Sequence, residues 1–159
     1  MAERKLPPKM KIYEALWAVA DERIHMEWFF SNEAKCYSSS GNKFYTVTYD
    51  PDKRAIMMND NASYRNGYLW YPGIAFLMMK WVILYEPEYA FMLKGIARKD
   101  INQKFKNDFD KTIEYILQWL TATWADVAAL GRTVDDIYDQ IESLHMKMLW
   151  PKSKPPTWY

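Results

Sequence analysis

The chain has 159 residues, half of them apolar and about a quarter charged, with a formal net charge of +1. This excludes a disordered chain, and the near-even charge argues against a broad basic groove for nucleic acid. The 8 Trp, 12 Tyr, 7 Phe and 10 Met exceed what one small core needs, so either the core is unusually aromatic or part of the apolar surface faces a partner.

The first eight residues hold no apolar signal core, and Pro7 and Pro8 keep a helix from starting before residue 9. Over residues 9–23, Ile12, Leu16 and Val19 recur at helical spacing, with Tyr13 and Trp17 on a flanking stripe. Residues 24–30 then alternate. Ile24, Met26, Trp28 and Phe30 share one side, and His25, Glu27 and Phe29 the other, which predicts a strand with Trp28 inward and Phe29 outward. Residues 34–38 predict a second strand holding Cys36, the one cysteine, read as a buried inert thiol. A turn at Ser39-Ser40-Gly41-Asn42 leads to the strongest strand, residues 43–49. After Asp50-Pro51-Asp52-Lys53, residues 55–59 predict a fourth. Connections this short imply an antiparallel meander.

Beyond a polar loop at residues 59–67 the period becomes helical. Residues 73–84 form an apolar helix whose only charge is Lys80. The surrounding run, residues 68–85, nears the length of a membrane span, but Pro72, Gly73 and Lys80 favour a buried helix. Residues 87–94 predict a short helix stopped by Gly95. Asp100, with Gln103 three residues on, predicts a capped helix running to about residue 129, with Trp119 and Trp124 at its edges and Gly131 as terminator. Thr133 is the expected cap of a last helix reaching Met148, with His145 in its apolar arc. Residues 151–159 carry three prolines and read as a flexible tail beyond a single domain over residues 1–150. The fold class is therefore α+β: an N-terminal helix, a three- to four-stranded antiparallel meander and about four further helices packed on the sheet.

The chemical inventory is thin. His25 and His145 form no HxH, HxxxH or Cys–His spacing, so a zinc site has only weak support. Asn59-Asp60-Asn61-Ala62-Ser63 faintly resembles a calcium loop, but Trp70 stands where the bidentate acid belongs. Asn59, Asp60, Asn61, Ser63, Tyr64 and Arg65 are the candidate residues for a small-ligand or enzymatic site. No phosphate cradle or nucleophile elbow is present, and no catalytic residue or cofactor is expected. Lys35, Lys43, Lys53 and Arg54 with Tyr37, Phe44 and Tyr45 offer a single-strand nucleic-acid surface as a second alternative, disfavoured by the near-neutral charge.

The leading expectation is a cytoplasmic, non-enzymatic protein-binding domain, its partner another protein or a second copy. An engineered binding surface would give the same aromatic excess. On the 73–84 helix, 100° per residue gathers Phe76 and Lys80, with Met79, Ile83 and Leu84 beside them, as an exposed partner-binding patch. Ile74, Leu77, Met78 and Trp81 are expected in the core.

Overall fold

A computed structural model describes residues 1–123 and 125–157. Trp124, Trp158 and Tyr159 lie outside the described residues. Helix α1 (Lys9–Ala20) follows Pro8, whose extended backbone ends the preceding segment. Four strands come next, β1 (Ile24–His25), β2 (Glu33–Tyr37), β3 (Phe44–Asp50) and β4 (Ala55–Met58). They pair antiparallel in chain order. A short β5 (Lys147–Met148) adds parallel to β4 and closes that edge. The α+β expectation holds, with one strand more than the sequence pattern offered.

The register sorts the two sheet faces. Ala34 pairs with Val47 and Cys36 with Tyr45, on the face toward the helices; Lys35 pairs with Thr46 and Tyr37 with Phe44 on the other. Cys36 is fully buried, and burial pushes its thiol up to about 12, so it is not a nucleophile near neutral pH. Of the proposed nucleic-acid aromatics, Tyr37 and Phe44 thus share the outer face and Tyr45 does not.

Helix α2 (Asn61–Asn66) is capped by Asp60 and ends on Gly67 in the left-handed region. Helix α3 (Tyr71–Met79) is packed between α1 and strands β1, β3 and β4. Where it passes β4, Gly73 leaves room for Met58: a Cβ there would overlap Met58 Sδ, so that side chain would have to shift. Helix α4 (Pro87–Phe91) stops before the left-handed Gly95, close to the expected place. One apolar cluster takes in Ile12, Leu16 and Trp17 of α1, Val47 and Ile56 of the sheet, and Leu120, Leu130 and Ile137 of the later helices.

The helical half corrects the expected boundaries. The long helix starting at Asp100 is two helices, α5 (Arg98–Lys104) and α6 (Phe109–Ala122). Lys106 and Asn107 take positive φ between them and turn the chain. Asp100 lies inside α5, and Asp108 is the cap of α6, accepting from Lys111 N at 3.2 Å. Helix α7 (Val127–Leu144) begins earlier than expected, capped by Asp126, which accepts from Ala129 N at 2.9 Å. Gly131 and Thr133 are therefore interior residues of α7. The helix ends at a left-handed His145, and the chain becomes β5 where helix was expected. His145 is exposed and meets Glu3 Oε2 at 3.2 Å, so it is not a core histidine. The sequence signal was ambiguous because Asp, Asn and Thr followed by helix formers recur here, and only packing selects which one starts a helix. Asp126→Ala and Asp108→Ala should each cost about 1 kcal/mol in urea melts, the usual worth of a cap. Thr133→Ala and Asp100→Ala should change stability by less than about 0.5 kcal/mol.

Candidate interaction surface

The patch expected around Lys80 does not exist as drawn. Phe76 and Ile83 are both 0 % exposed. Phe76 lies edge-on to Tyr49 at 6.1 Å between ring centres, inside the core. The cause is helix length. The arc assumed continuous helix through residue 84, but α3 ends at Met79, and Trp81 takes φ 58°. Beyond that break, 100° spacing no longer describes the side chains. Ile74, Leu77 and Met78 are buried as expected, whereas Trp81 is half-exposed. Met79 is partly buried. Leu84 is exposed for a local reason. Gln140 of α7 holds its backbone from both sides: Leu84 N donates to Gln140 Oε1 and Gln140 Nε2 donates to Leu84 O, each at 2.8 Å.

The exposed aromatic surface is elsewhere. Strand β1 is only Ile24–His25, and residues 26–32 are the loop that carries the chain to β2. On it, Trp28, Phe29 and Phe30 are 59 %, 62 % and 70 % exposed. This corrects the expectation of an inward Trp28. Alternation was read from residue type, but beyond His25 no ladder fixes which side a residue faces. Three consecutive large side chains on a loop cannot all turn inward.

The loop is held by its backbone. Ser31 N donates to Trp28 O at 3.0 Å. Lys80, at the C-terminal end of α3, donates through Nζ to the carbonyl oxygens of Phe29 (3.0 Å) and Ser31 (2.9 Å). The same ammonium stands 5.8 Å from the Phe29 ring centre, near enough for a cation–π contribution. The rings brace one another edge-on, Trp28 to Phe30 at 5.7 Å and Phe29 to Phe30 at 5.3 Å, a favoured aromatic arrangement. Lys80 thus marks neither a free charge nor the centre of a helical patch. It ties the aromatic loop to the end of α3. Its chain neighbour Trp81 stacks on Tyr85 at 5.2 Å, and its left-handed backbone is strained for a bulky residue.

The 59–65 segment uses its polar groups internally. Asp60 Oδ1 accepts from Ser63 N at 2.9 Å, and its Oδ2 accepts from Ser63 Oγ at 2.7 Å. Burial pushes the Asp60 carboxyl up, and the Ser63 hydrogen bonds and the Arg4 charge oppose that shift. Arg4 donates to Ser63 O and to Ile56 O, tying the N-terminus to this segment. Asn59 Oδ1 accepts from Thr46 N at 2.8 Å, and Asn59 Nδ2 donates to Lys154 O. Tyr64 receives Lys152, whose ammonium lies 5.5 Å from its ring centre. Asn61 and Arg65 are exposed. Asn59, Asp60 and Ser63 therefore build a capped turn under the C-terminal segment, and the six residues do not converge on a cavity. Among the described residues, no group of three or more His, Cys, Asp or Glu is placed to hold a metal ion, and no helix is long and apolar enough to cross a membrane.

A family model described as "Uncharacterised conserved protein UCP014422" matches residues 4–147. The chain belongs to that family. The match spans the sheet, the aromatic loop and every helix, and stops before the proline-rich end. No curated protein and no solved structure matches the chain.

Proposed function

We propose that this family member is a non-enzymatic protein-binding domain, and that its contact surface is the Trp28-Phe29-Phe30 loop with Trp81 and Leu84. The observation that carries the reading is the loop itself: three adjacent large aromatics in solvent, on a backbone clamped by Lys80. Large aromatics dominate interface energetics, and a backbone fixed before binding lowers the ordering cost of association. An aromatic core alone would account for Trp17 and Phe76, but it gives no role to rings left in water. A cytoplasmic setting suits this reading, with Cys36 a buried free thiol.

The test compares the wild-type chain with Trp28→Ser/Phe30→Ser. Sedimentation velocity over a wide concentration range reads self-association, and affinity capture from the source cell reads a different partner. We expect one of the two to appear in the wild type and to weaken at least tenfold in the variant, a loss of about 1.4 kcal/mol or more. The melting temperature should stay nearly unchanged, because exposed side chains contribute little to folding. A strictly monomeric wild type whose captured proteins equal those of the variant would remove the proposal.

A further inference from the structure

Two features lie at the end of the molecule where α1 and α3 terminate. These helices pack together, and their starts meet at Lys11 and Trp70, 4.6 Å from ammonium to ring centre, so they run the same way. At their far end Lys80, the last cap of α3, holds the Trp28-Phe29-Phe30 loop. Asp21, the last cap of α1, holds the turn before α5: its Oδ1 accepts from Gly95 N at 2.9 Å. That turn walls the second feature, an open cavity of about 360 Å³ between residues 94–101 and helix α6.

The cavity is apolar at its floor and aromatic at its rim. Ile116 is buried and Ile96 and Ile101 are partly buried, while Tyr115 and Trp119 stand in solvent. Trp119 is 52 % exposed. Apolar walls left open to water mark an interaction site. The charges at this cavity are positive. Lys94 lines it, and Lys104 Nζ lies 4.7 Å from the Tyr115 ring centre. The aromatic loop carries the opposite sign, with Glu27 before the rings and Glu33 after them, both exposed. Among the described residues none of these four groups is in an ion pair. Loop and cavity therefore match in apolar surface and are opposite in charge, the complementarity that selects a partner. No loop residue lines the cavity of its own chain, and the Lys80 clamp keeps the loop against α3.

We propose that the partner of the aromatic loop is a second copy of this chain, and that the loop seats in the cavity between residues 94–101 and α6 of that copy. The inference rests on the protein-binding reading above and names its partner. Because loop and cavity share one end of the molecule, a two-fold axis lets both copies insert at once, which closes a dimer instead of opening a filament. A large aromatic offers about 150–250 Å². More than half of each of the three rings is free. Two loops with the walls they cover thus reach on the order of 1,000 Å², the lower edge of a specific interface.

Sedimentation velocity of the full chain over a wide concentration range tests this with two variants and their mixture. Trp28→Ser/Phe30→Ser removes the loop's contacts, and Trp119→Ser/Lys94→Glu removes the cavity's. All four residues are exposed, and thermal melts check that both variants fold. If the cavity variant melts early, Lys94→Glu alone takes its place. We expect the wild type to dimerise and each variant alone to dimerise at least tenfold more weakly. An equimolar mixture should form more dimer than either variant alone, because one copy keeps a loop and the other keeps a cavity. A monomeric wild type, a dimer unaffected by the cavity variant, or a mixture no more dimeric than its components overturns the proposal. A monomeric wild type that captures a different protein through the loop overturns it too, and leaves the protein-binding reading standing.

Discussion

Glu14→Gln is expected to cost about 3–5 kcal/mol of folding stability, because it removes the one carboxylate between two buried cations. Lys11 and Arg98 both contact this carboxylate, and all three side chains are at most 13 % exposed. The defect should depend on pH. In the wild type the Lys11 ammonium is already held down to about 7 from its ordinary 10.5. Without Glu14 its folded value falls further. Between that value and 10.5 the unfolded chain then carries one proton more than the folded one, so variant stability rises with pH across the window. Arg98 keeps its charge there and part of the loss remains. Urea denaturation of both proteins at pH 6, 8 and 9.5 checks this, with the largest difference expected at pH 6. A difference below about 1 kcal/mol at every pH would show that the network does not hold α5 to α1.

Phe76→Ala should also be severe, about 3–5 kcal/mol, as for other fully buried aromatics cut back to a methyl group. Its ring fills the space between α3 and Tyr49, and close-packed neighbours collapse only partly into such a void. Trp81→Ala should cost far less. That side chain is 50 % exposed and its described ring partner is Tyr85. Losing the stack removes about 0.5–1.5 kcal/mol. Thermal melts of the two variants would test the order, and a Trp81 defect equal to that of Phe76 would mean that α3 continues past Met79 in solution. The pair also bears on the surface. If Phe76→Ala impaired partner capture at full stability, binding would have to involve the interior of α3.

Residue pattern alone was enough for α1, for β2, β3 and β4 with their tight turns, and for the burial of Ile74, Leu77 and Met78. Each depends on local chemistry: Pro7 and Pro8 delaying a helix, Asp50-Pro51 turning a hairpin, an all-apolar run that water would reject. Asp60, Asn59 and Ser63 were legible as a polar cluster, but the same residue types serve a ligand site and a capped turn equally well. Trp28, Phe29 and Phe30 were read as alternating strand positions, and Lys80 as the charge that marks the water side of a helix. That Lys80 instead bonds the backbone of Phe29 and Ser31, 51 and 49 residues away, is a long-range fact that no local period encodes. The same holds for the ion network at Glu14. Lys11 and Glu14 are one helical turn apart, and residue type alone puts both on the solvent side of α1, whereas Arg98 reaches Glu14 across 84 residues and all three are buried together. Sequence decided which segments are apolar and where turns are cheap. Tertiary packing decided which Asp caps a helix, where α3 stops, which aromatics remain in water and which charges are buried together, because each of those outcomes is set by neighbours that only folding brings within a few ångströms.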